Sequence, residues 1–264
     1  MTILDTLAAH AKARTKKNKQ ILPEEELRKR AFAMGADTGF PFEKALAEPG
    51  MSFICEVKKA SPSKGLIAPD FPYLKIAKEY EQAGAPAISC LTEPDFFLGS
   101  DEYLREIAAE VKVPVLRKDF TVAPYMIYEA KVLGASAVLL ICAILTDGEL
   151  AEYGKIARAL GLSALVEAHD EREVERALRV EGAVIGVNNR DLRDFTVDCR
   201  NSVRLRKLVP RDRLFVSESG IRTPEDIEVL RKSGTDAVLI GETLMRSPDK
   251  AAELRRLKGE RENI

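Results

Sequence analysis

Four phrases in this chain repeat one another: AGAPAISCL from Ala83, LGASAVLLI from Leu133, EGAVIGVNN from Glu181 and SGTDAVLIG from Ser233. In each, a glycine can take the left-handed conformation that ends a helix, and a small residue then lets the chain turn tightly into an apolar run. Such runs are strands. Further short runs rich in Val, Ile and Leu alternate with amphipathic helices, the pattern of βα units around a parallel sheet. Strands are expected at Phe53–Lys58, Ala87–Leu91, Val115–Lys118, Ala137–Ile141, Ala164–Glu167, Val184–Asn188, Leu214–Ser217 and Ala237–Ile240, and the repeated phrases announce the even-numbered ones. A repeat of two βα pairs fits a closed barrel better than an open doubly wound sheet, whose strand order would have to reverse. The 264 residues are close to the ~250 of a single (β/α)8 barrel, the TIM barrel. One α/β domain, residues 1–264, is therefore expected.

Residues 1–47 precede the first strand and form an N-terminal helical extension. Ile3, Leu4, Leu7, Ala8 and Ala11 recur at helical spacing from Thr2 to about Lys19, with Asp5 early and lysines late, as the helix dipole prefers. A second helix should begin after Pro23, through Glu24, Glu25 and Glu26, and end near Gly35. The extension either caps the bottom of the barrel or folds over its mouth. Lys16, Lys17 and Lys19 read as solvated.

Charge and cysteine usage limit what the barrel can do. Lysine plus arginine, 41, nearly balance aspartate plus glutamate, 42, so no global field recruits nucleic acid, and a small anionic ligand met by local groups is the expectation. Cys55, Cys90, Cys142 and Cys199 lack Cys-x-x-Cys spacing and read as free thiols of a reducing cytoplasm. The N-terminus has no apolar core of signal-peptide kind, and no segment approaches the ~20 apolar residues that span a bilayer, so a cytoplasmic protein with no membrane partner is expected. His10 and His169 are far apart in sequence, and no His/carboxylate cluster has metal-ligand spacing. No dinucleotide fingerprint or serine nucleophile elbow is present. The chemistry falls to amines, carboxylates and hydrogen bonds, with no metal and no cofactor.

Those groups sit at the strand ends, where this architecture builds its active site. In FICEVKKASPSKG, Glu56 and Lys58 are two apart and share a strand face, while Cys55 and Val57 share the other. The third strand ends at Lys118-Asp119, the fifth at Glu167, the sixth at Asn188-Asn189-Arg190 and the seventh at Ser217-Glu218-Ser219-Gly220. Each alone could be a bridging ion pair or a solvated edge. Together at one rim they point to a site, because buried charge is costly without a use. Phosphate is the natural anion: Ser219-Gly220 follows the seventh strand, and Gly241 opens GETLMR after the eighth, where barrels place a phosphate at a short helix. Glu242 is compatible with that if backbone N–H groups make the contacts and its side chain points away. His169, two after Glu167, can sit near the site but reads first as a packing or loop-capping residue.

In order along the chain, CEVKKASPSKG, LTEPDFFLGS, VLRKDF, LVEAH, IGVNNRDL, VSESGI and LIGETLM closely resemble the motifs of the indole-3-glycerol phosphate synthase family, over essentially the whole chain and extension included. The resemblance implies closure of an indole ring from 1-(2-carboxyphenylamino)-1-deoxyribulose 5-phosphate, with loss of carbon dioxide and water and without metal or organic cofactor. It implies Lys118 as the general acid, with Glu56, Lys58 and Glu167 sharing the dehydration. Asn188 would hydrogen-bond the substrate hydroxyls or carbonyl, and Glu218 would pair with Lys58 and orient it. Ser61, Gly220 and Gly241 are assigned to the phosphate, and Arg190, Ser219 and Glu242 complete the substrate-binding set. Phe97 and Phe120 would wall the anthranilate ring, unless they fill core. Leu98 stands where many relatives carry a polar residue, so no polar contact is expected from that loop. A monomer is expected, with association with other tryptophan-pathway enzymes left open. On the same scaffold a phosphosugar isomerase, a Schiff-base aldolase using Lys58 or Lys118, or a non-catalytic phosphate-ligand receptor are the competing readings.

Overall fold

A computed structural model describes residues 2–191 and 195–260; Leu192, which ends the IGVNNRDL motif, lies outside them. Eight parallel strands among the described residues close into a barrel: β1 Ser52–Val57, β2 Ala87–Leu91, β3 Val115–Lys118, β4 Ala137–Ile141, β5 Ser163–Ala168, β6 Val184–Asn188, β7 Phe215–Glu218 and β8 Ala237–Ile240. Five match expectation to the residue. β1 stops at Val57, so Lys58 lies just beyond the strand, and β5 gains a residue at each end. β7 starts one residue later than expected because the Phe215 amide donates to the Asp236 carboxylate at 2.8 Å, and it reaches Glu218, which lies beside Leu239 of β8.

The alternation of side chains across each strand produces two separate apolar clusters. Phe53, Cys55, Val57, Cys90, Val138, Leu140, Val166 and Val187 face outward to the helices. Inward residues come in layers drawn from alternate strands, as barrel closure requires. Ala87, Ala137, Val184 and Ala237 of the even strands form one layer, and Ile54, Leu116, Leu165 and Val216 of the odd strands the next. Leu139 and Leu239 continue upward, and above them the odd strands present Glu56, Lys118, Glu167 and Glu218. The top of the filled core is therefore ionic.

The extension reaches both ends of the barrel. Helix α1, Ile3–Ile21, starts at a capping box between Thr2 and Asp5 and lies over the mouth, where Arg14 donates to both oxygens of Asp119 at 2.7 Å, just beyond β3. Helix α2, Glu24–Ala33, packs outside against Pro124–Val132. A third helix, α3 Pro41–Ala47, was not anticipated, being only two turns long. Its Phe42 and Leu46 are buried in the inner cluster, each stabilising by about 1.5–3 kcal/mol, and the Ser52 hydroxyl at the foot of β1 donates to the Ala45 carbonyl. The bottom is plugged by α3 and the mouth is covered by α1.

Cys55, Cys90 and Cys142 are buried free thiols and Cys199 is half-buried; burial pushes Cys55 and Cys142 up to about 12. No helix among the described residues is long and apolar enough to cross a membrane.

β3 also carries a charge to its outer face. Arg117 is buried, with its guanidinium 2.7 Å from both Asp101 and Glu129, and it donates to the Met126 carbonyl and the Thr92 hydroxyl. Its removal would leave the part-buried Asp101 and Glu129, and the fully buried Asp119 at 3.8 Å, without the cation they share. Arg117→Met should lower the free energy of unfolding by about 3–5 kcal/mol, read from urea midpoints. A loss under about 1 kcal/mol, the scale of an exposed pair, would show that the network is solvated.

Candidate active site

The mouth of the barrel holds a cavity of about 1170 Å³, counting its open side, lined by strand ends, the loops after them and Ile3, Leu4 and Leu7 of α1. Every residue assigned to the site from sequence lines it: Glu56, Lys58, Ser61, Phe97, Lys118, Phe120, Glu167, Asn188, Arg190, Glu218, Ser219, Gly220, Gly241 and Glu242. Seven separate segments bring them together.

Lys118 is the centre. Its Nζ lies 3.5 Å from Glu167 Oε2 and 3.7 Å from Glu218 Oε2. Burial alone would lower its pKa, but Glu167, Glu218 and Glu56 raise it well above the ordinary lysine value, so the ammonium form is held. The two carboxylates diverge. Burial would raise Glu167, yet Lys118, His169 and Asn188 bring it below the usual range. Glu218 goes the other way, to about 8, because burial and the charges of Glu167 and Glu56 outweigh Lys118. At neutral pH one is a base and the other holds a proton, the separation acid–base sites exploit.

Lys58 makes a short ion pair with Glu56. This corrects the expectation that Glu218 pairs with Lys58: Glu218, at the end of β7, faces Lys118 instead. Two glycines make room. A Cβ on Gly241 would fall 2.2 Å from Glu56 Oε2 and 2.7 Å from Lys58 Nζ, and one on Gly186 would fall 2.4 Å from Glu218 Oε1.

After β7, the neighbour of β8, Ser219 and Gly220 both have positive φ, 68° and 82°, and a Cβ on Gly220 would run into Val197. A serine held in this conformation is strained, a mark of functional turns. Gly241 precedes a short helix, Glu242–Arg246, whose start has no side-chain cap, leaving N–H groups for an anion. The Glu242 carboxylate lines the cavity but is engaged by Arg246 at 3.1 Å and Lys64 at 3.7 Å. Ser61 lies in a small hairpin with Gly65. Arg190 donates to the Phe195 carbonyl, and its amide donates to Asn188 Oδ1. Phe97 and Phe120 meet at 6.0 Å between ring centres and form an apolar wall. The adjacent Leu98 is exposed, with φ of 52°. No group of three or more metal-binding side chains occurs among the described residues.

Half-buried amines, buried carboxylates, a flat apolar wall and an anion-ready rim stand in the order of the seven motifs. Indole-3-glycerol phosphate synthase is the family whose pattern matches residues 4–257. The chain belongs to that family. It is 57% identical to the indole-3-glycerol phosphate synthase of Ruminiclostridium cellulolyticum over 97% of this chain and 99% of that protein, and 54% identical to that of Endomicrobium trichonymphae over 97% and 99%. Solved barrels similar in fold include a 3-hexulose-6-phosphate synthase, TM-score 0.63 at 16% identity, covering 80% of this chain and 99% of that one. A monomeric form of phosphoribosylanthranilate isomerase from Thermotoga maritima matches with TM-score 0.57 at 18% identity, over 80% and 100%. At such identities they speak for the fold alone.

Several residues of the site carry no local mark in the sequence. Asn189 looks like its neighbour Asn188 but serves structure, bridging Ser217, Ser202 and the Ser219 carbonyl. Leu4 and Leu7 reach the cavity from α1, and Phe195 from the loop after β6; nothing local in sequence marks them. His169 is placed 3.4 Å from Glu167 Oε1, rather than simply capping a loop.

Because Glu218 is raised from 4.5 to about 8, it binds its proton more tightly folded than unfolded. Its contribution to stability is complete below the unfolded value and is lost as pH rises through the folded one. Glu218→Gln should therefore match the native chain in unfolding midpoint at acid pH and exceed it increasingly from about pH 5 to pH 8. A constant difference across that range would mean Glu218 is not raised.

Proposed function

We propose that this chain closes the indole ring of 1-(2-carboxyphenylamino)-1-deoxyribulose 5-phosphate, releasing carbon dioxide and water. The observation that carries it is the Lys118 ammonium, held between Glu167 and Glu218 at the floor of a cavity with an apolar wall on one side and an anion rim on the other. The phosphate sits among Ser61, Ser219, Gly220 and the amide groups following Gly241, with Arg190 adding charge. The anthranilate ring lies along Phe97 and Phe120. Its carboxyl-bearing carbon attacks the C2′ carbonyl, and Lys118 gives a proton to that oxygen as charge develops, the general-acid role that a cation held in place by carboxylates can fill. Loss of carbon dioxide restores aromaticity. Dehydration follows, with an acid to help the hydroxyl leave and a base to take a proton from C1′; Lys58, Glu56 and Glu167 share these tasks. Asn188 orients the sugar oxygens, and Glu218 holds Lys118.

Residues 1–47 belong to the same working unit, since Leu4 and Leu7 of α1 reach the cavity. Four free thiols favour a cytoplasmic setting, and the chain is read as a monomer.

The chain contains no tryptophan, so indole fluorescence reports product on a low background. Purified protein mixed with the substrate, without metal or nucleotide, should give a rising indole signal. Lys118→Met should reduce turnover by at least about a hundredfold while leaving the affinity for a phosphate-bearing substrate analogue within a few-fold. Retained turnover would remove Lys118 from its role. Glu242→Ala should change KM little, because Arg246 and Lys64 already occupy its carboxylate; a large rise would place that side chain in the phosphate site. An aldolase would instead be trapped covalently by borohydride with its keto substrate.

A further inference from the structure

Ring closure imposes a proton balance that the groups above do not meet alone. The substrate carboxylate departs as carbon dioxide and the C2′ oxygen as water, so each turnover consumes one proton: carboxylate substrate plus H⁺ gives indole product, carbon dioxide and water. Within the site the C2′ oxygen takes two protons, one at ring closure and one as it leaves, while C1′ returns one. Lys118 and Glu167, 3.5 Å apart, can pass the returned proton between them. The other must come from water, although Glu167 is buried, Lys118 is only 16% exposed and α1 lies over the mouth.

A route lies behind Glu167. His169 follows it on the loop after β5, with Nε2 3.4 Å from Glu167 Oε1. The other ring nitrogen, Nδ1, lies 3.0 Å from Glu173 Oε2, which also accepts from the His169 amide at 2.9 Å. A carboxylate only accepts, so Nδ1 carries hydrogen and Nε2 is the nitrogen that exchanges a proton with Glu167. Nε2 is buried without a hydrogen-bond partner among the described residues and so is free to face Glu167 Oε1, while Glu167 Oε2 faces Lys118 Nζ at 3.5 Å. His169 and Glu173 line a second cavity, with Asp170, Asn201 and Arg204, which adjoins the first at Leu4, Asn188 and Arg190; Glu167 lines only the first and His169 only the second. The imidazole thus stands between the buried base and the second cavity.

We propose that His169, held by Glu173, is a positioning residue that relays protons between water in the second cavity and the Glu167–Lys118 pair. This rests on the ring-closure reading. The imidazolium gives its Nε2 proton to Glu167 Oε1; Glu167 passes a proton from Oε2 to Lys118 once that amine has donated. The neutral ring then recovers a proton from water by turning toward the second cavity, where its side chain is already 19% exposed. Groups facing the ring are Glu167 on β5, Glu218 on β7 and Glu173 on Glu171–Leu178; they outweigh burial and raise the imidazole above its ordinary value.

The test is rapid mixing of the full chain with saturating substrate, following indole fluorescence through the first and later turnovers. In His169→Ala the first turnover should proceed at the native rate, since the site starts loaded with its protons, and the steady state should fall at least about tenfold. Added imidazole should restore the steady state alone, and the less basic 1,2,4-triazole should restore it less. His169→Gln, close in volume, provides the same comparison if the smaller side chain prevents folding. First and later turnovers falling together, with no effect of azole, would show that His169 only holds Glu167 in place and would overturn the relay, as would variants that turn over like the native chain. Native protein that makes no indole would overturn ring closure itself, and the relay with it.

Discussion

The burial of one ammonium group between two carboxylates is the constraint on which this structure turns. Lys118, Glu167 and Glu218 come from β3, β5 and β7, and Glu56 comes from β1. A barrel stacks its inward side chains in layers from alternate strands, so these four form one layer, immediately above layers of Ile, Leu, Val and Ala. The packing that would place four apolar side chains here instead places three carboxylates and an amine. The scaffold's own geometry aims them at one another.

Such a layer is tolerable only if its charges cancel. With Lys58 paired to Glu56, the set holds two amines and three carboxylates, one negative charge too many for a buried space. Raising Glu218 to about 8 removes the excess, because that carboxyl keeps its proton at neutral pH. Glu167 can then stay ionised as a base beside a fully protonated lysine. The acid and base roles thus follow from neutrality in a confined volume, with no need for either group to be unusual in itself.

Period-two alternation made much of this legible in sequence: a charge two residues after an inward apolar residue must also face inward, which places Glu56 above Ile54, Lys118 above Leu116, Glu167 above Leu165 and Glu218 above Val216. Which carboxylate meets which amine was not legible, since it depends on strand tilt and on space cleared by glycines; hence Glu218 was assigned to Lys58 and is found at Lys118. The same limit hid Gly186, whose missing side chain admits Glu218. Helical periodicity showed that α1 has an apolar face but not where that face would lie, and α3 was too short for any period to register. His169 was undervalued for a related reason. Its partner Glu173 is local, but the second cavity beside it exists only once β5 and β6 are neighbours.

Position, as well as charge, has to be fixed at Lys118, because an acid misplaced by an ångström loses much of its effect. β3 achieves this from both faces. Leu116 anchors the inner side, while on the outer side Arg117 is tied to Asp101, Glu129 and the Met126 carbonyl. The residue after Lys118, Asp119, is held by Arg14 of α1 and by Thr92, and those partners keep its carboxylate ionised despite complete burial. The backbone at Lys118 is therefore clamped on either side, and one of the clamps belongs to the helix that supplies Leu4 and Leu7 to the cavity. Placement of the acid and closure of the mouth are in this way mechanically one feature, which explains why a complete barrel carries an extension that its sheet does not need.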